Sequence, residues 1–237
     1  MKIKIAHISD THGHLPPNPK LVDILIHTGD HTHCNKGDLE CEVKQMKALN
    51  KRFGEMKEPY SYGYIDVREI IYVPGNHDFL PIKTLKNILT NVDVVVDSDN
   101  PYFELKGVKF FGTSYQKDYG TWAYNKSDEF LKKYFETMYN KRPLEPVDVI
   151  LSHAPALGML DQASRLGSPY YEDTGCEYLK RFIFKMYESK MNDSEMFILS
   201  GHIHEARGKI ELPQFQMTFL NSAAMDRDWE TSHYHSF

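Results

Sequence analysis

The chain has 237 residues, 41% of them hydrophobic and 26% charged, the proportions of an ordinary soluble globular protein with room for one large domain. A net charge of −5 offers no general attraction for nucleic acid or an anionic membrane surface, and no apolar run is long enough to span a bilayer. Cys34, Cys41 and Cys176 follow no zinc-ligand spacing, and their odd number reads as reduced thiols of a cytoplasmic protein.

Strand-like stretches alternate with helical patterns along the chain, which favours a layered α/β architecture. The chain opens in a strand over residues 3–8 rather than in a signal peptide, and a second strand follows at 22–26. Leu39, Val43, Met46 and Leu49 trace the apolar stripe of a helix, with Glu40 and Lys44 on its solvated face. Gly54, Pro59 and Gly63 then break the pattern, so residues 54–68 read as an irregular excursion carrying Tyr60, Tyr62 and Tyr64. A strand at 69–73, a helix at 81–89 and a strand at 92–96 come next, and a hairpin pairs 102–105 with 108–112 across Lys106-Gly107.

Ser127 suits the N-cap of a helix running to about residue 139. A strand at 147–151 precedes a helix that Thr174 can cap, with Tyr178, Phe182, Ile183 and Met186 turned inward. A strand at 196–199 leads to a second hairpin, 207–212 with 215–220, turning at Pro213-Gln214. Because both ends of the chain are strand-rich, two sheets packed face to face with helices outside fit better than one open sheet. No repeat or linker divides the chain, so a single domain over 1–237 is expected.

Five short motifs lie just after strand-like stretches: Asp10-Thr11-His12, Gly29-Asp30, Gly75-Asn76-His77-Asp78, Ser152-His153-Ala154-Pro155 and Gly201-His202-Ile203-His204. Carboxylates and imidazoles at successive strand ends are what a site at the carboxyl edge of an α/β sheet needs. Divalent metals take carboxylate, amide carbonyl and imidazole ligands, and two-metal phosphoesterases hold their ions roughly 3.5–4 Å apart. Such spacing demands a bridging carboxylate, and Asp30 is the natural one, since Gly29 lets the backbone turn tightly before it. Asp10 and His12 alternate, so one extended loop directs both to one ion. His202 and His204 alternate too, and that pair fits one ion or a division between two equally well. Asn76 offers an uncharged carbonyl oxygen, while His77 beside it points elsewhere, toward substrate. Asp-x-His or Gly-Asp alone carries little weight; all five motifs in this order argue strongly against coincidence.

With these motifs the chain resembles the calcineurin-like metallophosphoesterases, whose pattern of Asp-x-His, Gly-Asp, Gly-Asn-His-(Asp/Glu), His and Gly-His-x-His it matches over roughly residues 3–224. The resemblance implies a four-layer α/β sandwich, two central mixed β-sheets flanked by helices, with a dinuclear centre at the sheet edges. It implies that Asp10, His12 and His204 hold one metal, that Asn76, His153 and His202 hold the other, and that Asp30 bridges them. His77 would protonate the leaving oxygen or stabilise the phosphoryl group, and Asp78 would orient that imidazole. Asp30-His31-Thr32-His33 lacks the Asp-Arg-Gly that follows the Gly-Asp of serine/threonine protein phosphatases. Residues 25–30, 153–158, 175–179, 204–208 and 220–223 look instead like the metallophosphoesterase-domain branch, which is similar to the class III cyclic nucleotide phosphodiesterases. Some animal members of that branch lose the first histidine of the last motif; this chain keeps His202.

The expected activity is hydrolysis of small phosphodiesters, cyclic nucleotides among them, by metal-activated water attack. Two divalent ions are expected, Mn²⁺ foremost, with iron or zinc also compatible with nitrogen and oxygen ligands. A phosphomonoesterase, a nuclease or a non-catalytic binding scaffold of the same fold are the alternatives; the acidic charge argues against a long polyanion and the intact ligand set against a scaffold. The expected partner is a small phosphodiester or nucleotide, with no membrane and no long nucleic acid. His14, His31 and His33 read as surface or supporting histidines. Tyr115, Tyr119 and Trp122 are better placed to line a pocket than Tyr60, Tyr62 and Tyr64. Arg207 suits either a phosphate or an ion pair with Glu205 or Glu211, and His233-Tyr234-His235 reads as a disordered end.

Overall fold

Strands apolar on both faces must be covered on both sides, and here two sheets and four helices do the covering. A computed structural model describes residues 3–19, 21–59, 66–143, 146–164, 170–189 and 194–224, and the backbone of 235–236. The first sheet begins with β1 (Ile5–Ile8), β2 (Val22–His27), β3 (Val67–Tyr72) and β4 (Val94–Val95), parallel and in that order. The second sheet takes β5 (Tyr102–Leu105) and β6 (Val108–Thr113). Two-residue strands β7 (Gln116–Lys117) and β8 (Asn125–Lys126) form a small ribbon of their own, and β9 (Val149–Ser152) rejoins the second sheet. A second ribbon pairs β10 (Gln162–Ser164) with β11 (Tyr171–Asp173). The second sheet is completed by β12 (Met196–Ser200), β13 (Gly208–Leu212) and β14 (Met217–Asn221), giving the order β13-β14-β12-β9-β6-β5. Its four central strands are parallel and both edges antiparallel. Last, β15 (His235–Ser236) lies antiparallel on β1.

Alternation along the strands sorts the core into three layers. Ile5, Ile24, Ile26 and Ile71 of the first sheet meet Phe110, Val149, Leu151, Leu199 and Leu220 of the second. The opposite face of the first sheet, with Ala6, Ile8, Leu25, Ile70 and Tyr72, packs on α1 (Leu39–Lys57) and α2 (Ile82–Ile88). The opposite face of the second, with Phe111, Ile150, Ile198 and Phe219, packs on α3 (Asp128–Asn140) and α4 (Glu177–Glu188). This is the expected four-layer sandwich. The carboxyl ends of the two sheets are joined by a parallel bridge from Ser9 to Ala223, with Ser9 N donating to Ser222 O at 3.0 Å and Ala224 N to Ser9 O at 2.7 Å. That junction sets all five motifs along one edge.

Several local expectations need correction. Helix α1 continues through Gly54 to Lys57, because Phe53 and Met56 extend its buried stripe and the bare Cα of Gly54 lies close against Asn91. Ser127 caps α3 as expected, accepting from Phe130 N, but α4 is capped by Cys176 rather than Thr174, whose hydroxyl instead donates to Asp161 O. Leu179 joins Phe182, Ile183 and Met186 in the core, and Tyr178, half-buried, packs against it. Cys34 and Cys41 are joined in a disulfide across the start of α1, contrary to the reading of all three cysteines as thiols; Cys176 is free and buried. A composition count cannot reveal that the loop before α1 folds back one turn. The supposedly disordered end supplies the edge strand β15 at His235, while Tyr60, Tyr62, Tyr64, His233 and Tyr234 lie outside the described residues. Among the described residues no helix is long and apolar enough to cross a membrane.

Candidate metal centre

The strand ends force unusual backbone. Asp10, His12, Asp30 and His202 have φ of 54°, 41°, 55° and 67°, a left-handed conformation that costs an ordinary residue about 1–2 kcal/mol. Such strain persists only where surrounding bonds over-determine it. Here His202 N donates to Asp10 Oδ2 at 2.7 Å, His77 N to Asp30 Oδ1 at 2.7 Å, and Asp10 N to Gly29 O at 2.8 Å. Glycines make the close approaches possible: a Cβ on Gly75 would lie 2.6 Å from Asp30 N, and one on Gly201 would collide with the side chains of Ser9 and Asp10.

Two groups of donor atoms result, each within 4.8 Å: Asp10, His12 and His204 in one, Asp30, His153 and His202 in the other. Asn76 joins the second, its Oδ1 lying 2.8 Å from His153 Nε2. All seven ligand positions expected from the motifs are thus brought into these two groups. Asp30 sits in the second, and its charge also reaches His12, where it opposes the effect of burial.

The ring nitrogens are already committed in a way that suits a cation. A carbonyl can only accept, so His153 Nδ1–H donates to Thr28 O at 2.7 Å and His12 Nδ1–H to Thr32 O at 3.2 Å. The Nε2 lone pairs are left for the centre, the usual arrangement of metal-bound histidine. In the neutral ring, His153 Nε2 faces two further acceptors, Asn76 Oδ1 and Asp30 Oδ2, the latter at 3.3 Å. Three acceptors converging on one point need positive charge between them. Without a metal a proton supplies it: burial alone would lower the His153 pKa, but Asp30 raises it to about 9. Asp10 is fully buried, and its Oδ1 makes no hydrogen bond, with His204 Nε2 3.5 Å away. Despite burial, His204 and His153 hold the Asp10 carboxyl well below the usual range, and His153 does the same for Asp30. Burial and the neighbouring His153 push His202 down to about 3, leaving it neutral and able to ligate. The residues present therefore fit two divalent ions.

His77 stands outside both groups. Its side chain is 27% exposed, its Nε2 is 4.0 Å from Asp30 Oδ2, and its ring packs against Trp122 at 4.4 Å. Asp78 does not orient it. The Asp78 carboxylate accepts from Gly75 N at 2.8 Å, Tyr72 Oη at 2.8 Å, Asp30 N at 3.1 Å and Thr32 Oγ1 at 3.3 Å. It ties the two metal-site loops together, and burial and the nearby Asp30 raise its pKa to about 6. Of the doubtful aromatics, Tyr119 packs on His202 at 5.0 Å and Trp122 on His77, whereas Tyr115 turns into the α3 side against Phe130 and Tyr134. His14 and His33 are exposed, and His31 is buried on Thr11. Arg207 Nη1 donates to Ala223 O at 2.6 Å.

Sequence reasoning missed a buried polar layer beneath the site. Gly29 N donates to His27 Nδ1 at 3.1 Å, so His27 Nε2–H points to Thr11 Oγ1 at 2.9 Å, and Thr11 donates onward to His31 Nδ1 at 2.7 Å. Burial and the neighbouring His31 keep His27 neutral. His7 bridges Thr28 Oγ1 at 2.9 Å and Ser222 Oγ at 2.7 Å, joining both sheets. The available signal was a histidine inside an apolar strand, His7 in β1 and His27 in β2.

An α/β/β/α sandwich with paired carboxylate–imidazole clusters at its strand ends defines the class of protein. The sequence profile of the Calcineurin-like phosphoesterase family matches residues 3–206, and the chain belongs to that family. It is 28% identical over 244 residues to a UPF0046 protein of Caenorhabditis elegans, covering 95% of this chain and 71% of that one. It is 25% identical over 223 residues to human metallophosphoesterase domain-containing protein 1, covering 85% of this chain and 60% of the relative. The fold is similar to a crystal structure of a dimetal phosphatase from Danio rerio, with a TM-score of 0.54, 10% identity, and coverage of 99% of this chain and 91% of the other.

Proposed function

We propose that the chain hydrolyses small phosphodiesters at this centre with two divalent metal ions, manganese foremost, and that cyclic nucleotides are among its substrates. The observation that carries the reading is the pair of donor groups whose histidine Nε2 atoms are already turned inward by Nδ1–H bonds to Thr28 O and Thr32 O. Divalent ions held there supply activated water and neutralise phosphoryl oxygens.

The chain's own residues do the rest. Asp78 and its four donors fix the Gly29-Asp30 and Gly75-Asn76 loops relative to each other. His77, held by its backbone N–H on Asp30 and by the Trp122 ring, is placed to give a proton to the departing oxygen. A cavity beside His202 leaves room for the second ester substituent that a monoester lacks, which favours diesters. The test is a panel with Mn²⁺-loaded protein: bis-p-nitrophenyl phosphate, p-nitrophenyl phosphate, and 2′,3′- and 3′,5′-cyclic nucleotides. Diesters should be turned over well ahead of the monoester; the reverse order would replace the reading with a phosphomonoesterase.

A further inference from the structure

Thr11 stands between two residues of the first donor group, Asp10 and His12, yet belongs to neither group itself. It is fully buried, and its hydroxyl is bonded on both sides, to His27 Nε2 at 2.9 Å and His31 Nδ1 at 2.7 Å. The direction of each bond is fixed. Gly29 N–H can only donate, so His27 Nδ1 accepts and the ring proton sits on Nε2, aimed at Thr11. The hydroxyl keeps one proton of its own, and His31 Nδ1 receives it. His27 holds the backbone N–H of Gly29, and His31 directly follows Asp30, so one hydroxyl grips the Asp30 loop on both sides of that carboxylate.

Backbone bonds join the same two loops. Asp10 N donates to Gly29 O at 2.8 Å, His12 N to Asp30 O at 3.1 Å and Gly13 N to His31 O at 2.5 Å. Thr11 itself is tied by its side chain, between left-handed residues at Asp10 and His12 with φ of 54° and 41°. Strain of that kind persists only where neighbouring bonds over-determine it. Without the hydroxyl, His27 Nε2–H and His31 Nδ1 lose their partner at sites only 0% and 4% exposed. Buried polar groups left unpaired are costly, so rings or loops would move to recover partners. Either movement displaces Asp10 and His12 relative to Asp30.

We propose that Thr11 is a positioning residue of the metal centre. Its hydroxyl sets the Asp10–His12 loop against the Gly29–His31 loop, and so fixes the distance at which the first donor group and Asp30 hold their ions. The inference rests on the two-metal reading of the centre and adds to it a residue that touches neither ion nor substrate.

The experiment titrates metal-free full chain with Mn²⁺ by calorimetry and records the paramagnetic resonance spectrum at two equivalents. Ions roughly 3.5–4 Å apart give the spectrum of a spin-coupled pair, which isolated ions do not. Thr11→Val keeps the shape of the side chain and removes the hydroxyl. It should weaken the binding of at least one ion by on the order of 10–100-fold and replace the coupled spectrum with that of isolated Mn²⁺. Thr11→Ser restores the hydroxyl without the methyl and should return both readouts to those of the parent. Thr218→Val is the control for lost stability alone: Thr218 is 2% exposed in β14, its hydroxyl donates to Glu195 Oε1 at 2.5 Å, and it belongs to neither donor group. That variant should melt lower than the parent with both metal readouts unmoved. Should Thr11→Val fail to fold, His31→Phe, which keeps a ring and removes the acceptor, carries the same expectation. Parent affinities and a coupled spectrum in Thr11→Val would overturn the inference, as would an equal loss in Thr11→Ser or in Thr218→Val. A parent chain that binds fewer than two Mn²⁺ would remove the two-metal reading, and this inference with it, before any variant is compared.

Discussion

The floor and the rim of this site are built by opposite means. The floor consists of strand ends whose left-handed residues, Asp10, His12, Asp30 and His202, are held by bonds between distant segments, such as His202 N to Asp10 and Asp30 N to Asp78. The rim consists of two short ribbons outside the main sheets, carrying Tyr119 and Trp122 on one and Glu172 and Asp173 on the other. Many hydrogen bonds there are local, as in Asp118 with Gly120 and Asn125, and a few tie the rim down, as in Ala123 N to Asn76 O at 3.1 Å. An over-determined floor fixes the chemistry and tolerates little change, whereas a locally built rim can vary what is bound.

Breaking the floor should give the largest effect. Asp30→Asn keeps the shape of a side chain whose Oδ1 accepts His77 N and whose Oδ2 faces His153, but removes the charge. Elemental analysis after Mn²⁺ loading should fall below the two ions per chain expected of the parent, with nearly all turnover lost. Undiminished metal content and activity would sink the two-metal reading. The variant should nonetheless fold, which a thermal melt will show, because the backbone bonds of the floor remain.

His77 lies on the border, its backbone in the floor and its ring against rim residue Trp122. His77→Asn should therefore retain both metals yet lose turnover by on the order of 10²–10⁴ on diesters with poor leaving groups. The deficit should shrink for p-nitrophenyl esters, whose leaving oxygen scarcely needs a proton. Equal loss on both substrate types would remove His77 from the role of leaving-group acid.

The same contrast explains what could be read from the sequence. The floor was legible because candidate metal ligands must be particular residue types at strand ends, so Asp10, His12, Asp30, Asn76, His153, His202 and His204 stand out against apolar runs. The strands were legible for the same reason, through their continuous apolar stretches. The support of the floor was not, because a bond such as Asp78 to Asp30 N joins residues 48 apart, and nothing local distinguishes it from an Asp78 turned toward the His77 ring. Rim ribbons of two or three residues leave no periodicity to detect. The disulfide between Cys34 and Cys41 depends on a loop geometry that spacing alone does not fix.

Behind the floor, the supporting layer should move stability rather than chemistry, by a smaller amount. Glu42 is 2% exposed on the inner face of α1, and its Oε1 accepts from Leu80 N at 2.7 Å, just beyond the Asn76-His77-Asp78 loop. Burial raises its pKa from 4.5 to about 7, against the hydrogen bond from Leu80, which lowers it. Between those two values the folded chain keeps a proton that the unfolded chain has released. Stability from this group therefore falls as pH rises from about 4.5 to about 7, and above 7 the full cost of a buried carboxylate is present. Glu42→Gln retains the acceptor for Leu80 N and removes the charge. The variant should melt higher than the parent at pH 8, by roughly 1–3 kcal/mol of stability, with a much smaller difference at pH 5. Its kcat on a good diester should be unchanged, since Glu42 touches none of the clustered donors. A difference that is equal at the two pH values would show that Glu42 is ionised throughout, with its charge met by water or a partner rather than by burial.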